Sequence, residues 1–144
     1  MLTVTVRHHF SAGHRLLGLV GAGAKCANLH GHTFGISATF QQDLELAAEF
    51  TGVKNVLHTW VDNNWDHGYL VHRADDELLG VLENMRVKHY ITPKRPTVEH
   101  MAELLAAYLQ QALPGLRVLE VEVTEGPNNA ASWQYEWCEA RAAE

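Results

Sequence analysis

The sequence of 144 residues holds only two cysteines, Cys26 and Cys138, and four prolines. Two distant cysteines do not make the disulfide framework of a small secreted domain. The prolines mark no Pro/Gly/Ser-rich linker, and there is no internal repeat or low-complexity tract. No apolar run approaches the roughly 20 residues needed to span a bilayer. The opening Met1-Leu2-Thr3-Val4-Thr5-Val6-Arg7 lacks the basic region and apolar stretch of a secretion signal, so a reduced, cytoplasmic protein is expected. Positive charge is not in excess. The 11 Lys plus Arg stand against 17 Asp plus Glu, a net charge of -6, which argues against a nucleic-acid partner; no membrane partner is expected either. The 47% hydrophobic and 19% charged residues are those of an ordinary globular chain. A single domain over 1–144 is the simplest expectation, long enough to hide roughly 70% of its unfolded surface. Histidine is unusually frequent, ten in all.

Leu2, Val4 and Val6 alternate with Thr3, Thr5 and Arg7, the period of a strand with one buried face. The glycine-rich stretch Ser11 to Asn28 reads as a loop. Phe34, Ile36, Ala38 and Phe40 alternate as a second strand. Apolar residues from Val53 to Val61 recur at three and four, predicting a helix over about 51–62, with a shorter helical stretch over 75–85 opening near Asp75. A long helix follows Pro96, with Thr97 as its cap and Met101, Leu104, Leu105, Tyr108 and Leu109 as its apolar stripe; Pro114-Gly115 ends it. Leu119, Val121 and Val123 predict a third strand. Trp133, Tyr135 and Trp137 predict a fourth, with Pro127-Asn128-Asn129 as the turn between them. Strands in adjacent pairs imply the α+β class: a four-stranded antiparallel sheet with helices on one face, in ββααββ order. The two sheet edges left over invite association between copies.

Three groups of residues carry chemistry. His30 and His32, at i and i+2 of a strand, point to one side, and His14 opens the loop whose far end delivers them. Three imidazoles suit a catalytic zinc with an open position. Cys26 as a fourth ligand would instead close the site as a structural zinc centre in a non-enzyme. Asp66-His67 pairs a carboxylate with an imidazole, the usual construction of a general acid–base; as neighbours they are expected to act on a shared partner rather than bond each other. Glu125 ends a strand, where a carboxylate can accept two hydrogen bonds from the N–C–N edge of a pterin, guanine or guanidine. Cys138 reads as a packing or solvent-face residue.

Taken together these pieces resemble the 6-pyruvoyltetrahydropterin synthase and 6-carboxytetrahydropterin synthase family. Phe10-Ser11-Ala12-Gly13-His14 is similar to the family's first zinc histidine segment, with Gly13 where alanine is frequent, a change expected to matter little. Cys26-Ala27-Asn28-Leu29-His30-Gly31-His32 is similar to the catalytic cysteine followed by the paired zinc histidines. Asp66-His67, Pro96-Thr97-Val98-Glu99 and Val123-Thr124-Glu125 follow in the family's order. The spacing from Cys26 to His30 looks like the bacterial carboxy-forming enzymes. The stretch Glu125-Gly126-Pro127-Asn128-Asn129 looks closer to the animal pyruvoyl-forming ones. Residues 71–95 look longer than the bacterial counterpart.

The resemblance implies the tunnelling fold, a trimer or a dimer of trimers with active sites between subunits, and 7,8-dihydroneopterin triphosphate as substrate. It implies Zn2+ on His14, His30 and His32, with Cys26, Asp66 and His67 as the catalytic residues. Glu125, Thr97 and Glu99 would contact the pterin. Arg15 and Lys25, then Lys94 and Arg95, are the cations nearest in sequence for the triphosphate. A pterin aldolase or epimerase on the same fold is disfavoured by the three histidines.

Overall fold

The computed structural model describes residues 1–42 and 49–136. Two long strands open it, β1 (Leu2–His14) and β2 (His30–Gln42), with a 3-10 turn at Gly21–Ala27 in their connection. There follow α1 (Phe50–Asn64), β3 (Gly68–His72), α2 (Asp76–Met85), β4 (His89–Thr92), α3 (Val98–Ala112), β5 (Arg117–Glu125) and β6 (Asn129–Gln134). β1 and β2 pair antiparallel over their full length, from Leu2 opposite Gln42 to His14 opposite His30. β5 joins β2, and β6 joins β5, both antiparallel.

The sheet corrects the expected four antiparallel strands. Among the described residues it has six, in the order β4-β3-β1-β2-β5-β6, and β3 runs parallel to both β1 and β4. The two added strands have five and four residues. In β3 the adjacent Leu70 and Val71 are both buried. A strand covered on both faces shows no alternation, which hides it from a periodicity reading. The loop expected over 11–28 is also shorter, because Ala12 and His14 continue the inward alternation of Phe10. Long-range pairing with β2 here outweighs the weak strand preference of Ser-Ala-Gly. β6 ends at Gln134, so Tyr135 lies beyond it. Trp137 and Cys138 fall outside the described residues.

The main core lies on one face of the sheet. Val4, Val6 and Phe10 of β1, Phe34, Ile36 and Phe40 of β2, and Val121 and Val123 of β5 meet Leu57 and Val61 of α1 and Met101, Leu105 and Leu109 of α3. Leu70 belongs to this core, whereas Val71 packs with Leu78 and Leu82 of α2. Successive strand residues face opposite ways, so α2 covers the other face, and the helices are not confined to one side. All three helices fall where their spacing predicts. The Asp75 carboxylate accepts the Leu78 N–H at the start of α2, and the Thr97 hydroxyl accepts the His100 N–H at the start of α3. Among the described residues no helix is long and apolar enough to cross a membrane.

Candidate metal centre and active site

The inward stripe of the sheet changes character at one end. On β2 the residues facing the core run Phe40, Ala38, Ile36, Phe34 and then His32 and His30. On β1 they run Phe10, Ala12, His14. The register sets His14 opposite His30 and Ala12 opposite His32, so the three imidazoles meet on one face. Their ring centres are 4.7 Å (His14–His30), 4.8 Å (His30–His32) and 5.3 Å (His14–His32) apart. On β5, Glu125 pairs with Phe34, which puts its carboxylate diagonally beside His32. One donor atom from each of His14, His30, His32 and Glu125 lies within 4.8 Å of every other. The three histidines are therefore gathered as the spacing suggests, and Glu125 joins them.

The hydrogen bonds fix two tautomers. His14 Nδ1 is 2.7 Å from the Pro96 carbonyl, and His30 Nδ1 is 2.6 Å from the Asn28 carbonyl. A carbonyl only accepts, so each Nδ1 carries a hydrogen, and in the neutral ring Nε2 is a bare lone pair. Burial pushes the pKa of His14 and His32 below the ordinary imidazole value, which favours the neutral form. His14 Nε2 and His32 Nε2 are buried without a hydrogen-bond partner. Both nevertheless lie close to Glu125 Oε1, at 3.1 and 2.8 Å. At His14 the bare nitrogen faces a carboxylate oxygen, which is repulsive unless a cation lies between them. The donor set, neutral imidazoles plus a carboxylate, fits a borderline divalent ion such as zinc, and the carbonyl bonds at Nδ1 are the usual support of metal-binding imidazoles.

Asp66 and His67 follow α1. They are bonded to each other directly, His67 Nδ1 to Asp66 Oδ2 at 2.7 Å, which corrects the expectation of a shared partner. His67 has φ +57°, and this left-handed turn brings its ring back onto its own neighbour. The Ser11 N–H donates to Asp66 Oδ1 at 3.1 Å, and the His67 N–H to the Ser11 carbonyl at 2.7 Å. Burial pushes the Asp66 carboxyl up, but the bonds from His67 and Ser11 outweigh it and hold it below the usual range. His67 lines a cavity of about 620 Å³ together with His30, His32 and Tyr69. Lys88 had no motif to announce it. Its Nζ donates to the carbonyls of Asp62 and Asp66 at 2.7 and 2.6 Å, tying down the end of α1 next to this pair.

Cys26 lies half-buried in the 3-10 turn, its carbonyl accepting the Leu16 N–H at 2.7 Å just past the His14–His30 pair. It is not part of the donor cluster, where Glu125 occupies the fourth place; a closed site of one cysteine and three histidines is not assembled. Glu125, Thr97, Glu99, Arg95 and Asn128 line a second cavity of about 710 Å³. The Thr97 N–H and carbonyl are spent on Arg95 and Met101, and its hydroxyl accepts the His100 N–H, so the hydroxyl proton and the amides of Val98 and Glu99 are left for a ligand. Arg15 is committed elsewhere. Its Nε and Nη2 form a bidentate pair with Asp75 at 2.7 and 2.6 Å, and Nη2 also reaches Glu77. Lys94 pairs with Glu103 at 3.1 Å. Lys25 is exposed on the 3-10 turn, and Arg95 donates to the Leu17 carbonyl.

Comparison with known proteins identifies the family. A family profile described as 6-pyruvoyl tetrahydropterin synthase matches residues 3–136. The chain is 35% identical over 107 residues to the 6-carboxy-5,6,7,8-tetrahydropterin synthase of Rickettsia felis, covering 71% of this chain and 75% of that one. It is 22% identical to the Haemophilus influenzae protein of the same name, covering 93% and 99%. Among solved structures, an uncharacterized Wolinella succinogenes protein shares the fold at TM-score 0.79, with 17% identity over 94% of this chain and 98% of that one. The 6-pyruvoyl tetrahydropterin synthase of Caenorhabditis elegans shares it at TM-score 0.64, with 21% identity over 94% and 96%. With a profile match spanning nearly the whole described chain and relatives above 30% identity, the chain belongs to the 6-pyruvoyl tetrahydropterin synthase family.

Proposed function

We propose that this protein is a cytoplasmic, zinc-dependent lyase acting on 7,8-dihydroneopterin triphosphate, with 6-carboxy-5,6,7,8-tetrahydropterin as product. The observation that carries the reading is the cluster itself: buried imidazole nitrogens without hydrogen-bond partners converging beside a carboxylate, at the edge of a cavity that also holds His67. The names of the relatives at 33–35% identity favour the carboxy product over the pyruvoyl one.

In this reading His14, His30 and His32 hold the metal. When bound, it supplies Lewis-acid polarisation of the substrate's side-chain hydroxyls and stabilises negative charge developing there. Glu125 accepts the amino and ring N–H groups of the pterin. The Thr97 hydroxyl, the first-turn amides of α3 and Glu99 complete that wall. Cys26, as thiolate, takes a proton from the side-chain carbon. His67, oriented and charge-stabilised by Asp66, moves protons to and from the side chain. Elimination of triphosphate then precedes cleavage of the bond between the first and second side-chain carbons, with water supplying the second carboxyl oxygen and the outer two carbons leaving as an aldehyde. Arg95, on the wall of the Glu125 cavity, and exposed Lys25 meet the triphosphate, while Arg15 braces α2. The protein works as a homo-oligomer, a trimer or a dimer of trimers. β6 supports this, since its edge, Asn129 to Gln134, carries no charge and no proline to block pairing.

The test is mass spectrometry of the products after incubation of the zinc-loaded protein with 7,8-dihydroneopterin triphosphate. A 6-carboxy product is expected. A 6-pyruvoyl product would move the chain to the other branch, and unchanged substrate from folded, metal-loaded protein would reject the substrate assignment.

A further inference from the structure

Arg95 walls the Glu125 cavity and also a smaller one, of about 280 Å³, lined besides by Arg15, Leu17, His72, Ala74 and Asp75. The hydrogen bonds in this smaller cavity do not balance. Its one carboxylate, Asp75, is buried and spent: Arg15 Nε donates to Oδ2, and Arg15 Nη2 and the Leu78 N–H donate to Oδ1. The donors are not spent. Arg15 has Nη1 left, since its bonds run through Nε and Nη2, the latter also reaching exposed Glu77. Arg95 gives only Nη1, to the Leu17 carbonyl at 3.1 Å, and has Nε and Nη2 left. Among the described residues no hydrogen bond engages the half-buried His72 ring. Two guanidinium groups and an imidazole thus surround one neutralised carboxylate, in a chain of net charge -6. Such donors left over in a concave site suit an anion with several acceptor oxygens.

Resting on the substrate reading above, we infer that this cavity seats the terminal phosphate of the triphosphate, held by Arg15 Nη1, Arg95 and His72. Arg95, common to both cavities, links the ring end of the ligand to its phosphate end. The pair with Asp75 fixes the Arg15 guanidinium beforehand, so little freedom is lost when the phosphate binds. His72, Asp75 and Arg95 all belong to the stretch 71–95, the one that looks longer than its bacterial counterpart. That stretch thereby gains a purpose beyond the metal and the ring: it builds a seat that tells a phosphorylated pterin from a bare one.

The experiment is titration calorimetry on the full-length protein loaded with Co2+, whose visible bands report an intact metal site. The probes are neopterin and neopterin triphosphate, whose oxidised rings do not react. The wild type is compared with His72→Ala and Arg95→Met. The wild type is expected to bind the triphosphate more tightly than neopterin. Each variant is expected to bind the triphosphate about tenfold more weakly, the worth of one hydrogen bond to a charged group. His72→Ala should leave the neopterin affinity and the cobalt bands as in the wild type. Inorganic triphosphate is expected to compete with neopterin triphosphate. An unchanged triphosphate affinity in folded His72→Ala, or equal losses for both probes, would overturn the inference. So would inorganic triphosphate that binds alongside neopterin triphosphate, as in a seat for a free anion. These outcomes leave the proposed function standing, whereas a wild-type protein that binds neither pterin would reject the substrate reading and the inference with it.

Discussion

At position 13 the backbone leaves no room for a side chain. A Cβ there would lie 2.5 Å from Tyr69 Cε1 and 3.2 Å from the His30 carbonyl, so the glycine that looked interchangeable with alanine is held by Tyr69 of β3. Gly13→Ala is expected to cost about 1–3 kcal/mol, the range of overpacking, and to weaken cobalt binding by moving the adjacent His14. Thermal unfolding and metal titration check this, and Tyr69→Ala in the same chain should recover part of both. Position 75 carries a second residue-scale expectation. The bonds from Arg15 hold the Asp75 carboxyl below its ordinary value of 3.8, outweighing its burial. A carboxyl depressed by folding stabilises the fold fully above that value, and the contribution is lost as pH falls through the lower folded value. Asp75→Asn should therefore unfold more easily at pH 7, by about 1–2 kcal/mol, since it leaves Arg15 only the exposed Glu77 as a charged partner. The gap between variant and wild type in urea melts should close on acidification below pH 4; a constant gap would refute the pairing.

The elements matter here for what their ends deliver. β1 ends at His14, β2 begins at His30, β5 ends in Glu125, and Asp66-His67 follow just after α1. Each site group thus stands where regular structure stops but its direction is still set. Lys88, just before β4, clamps the end of α1 through the carbonyls of Asp62 and Asp66, a favourable place for a cation at a helix C-terminus. Lys88→Met is expected to cost about 1 kcal/mol of stability and, by loosening His67, to lower kcat roughly tenfold with KM little changed. Steady-state kinetics decide it: an equal loss in KM would point to substrate binding instead. Thr97 caps α3, the helix whose first turn faces the Glu125 cavity; Thr97→Ser should keep the cap and Thr97→Ala lose about 1 kcal/mol, as measured by chemical denaturation.

On the scale of the whole molecule, the four donors of the cluster come from one chain, whereas among the described residues the sheet has two open edges, at β4 and β6. Metal binding and assembly are therefore separable. Lysines at the exposed Ala130 and Ser132 of β6 should block edge pairing. Sedimentation of this double variant is expected to show monomer, with cobalt uptake retained and turnover lost. Loss of cobalt uptake on dissociation would show that a partner subunit holds part of the site.

Much was legible along the chain because it is written in local spacing. The three helices follow from apolar residues at three and four, the long strands from alternation, and the metal pair from His30 and His32 at i and i+2. These depend on neighbours in sequence, so the sequence by itself determined them. β3 and β4 were not legible: the five residues of β3 are covered on both faces, and the four of β4 are too few to show a period. The direct Asp66–His67 bond depends on one left-handed residue, and the engagement of Arg15 on a carboxylate 60 residues away. The place of Glu125 beside the histidines was likewise decided only by the register of β5 on β2. That register aligns residues about 90 apart, a distance over which spacing in the sequence carries no information and packing of the shared core face carries all of it.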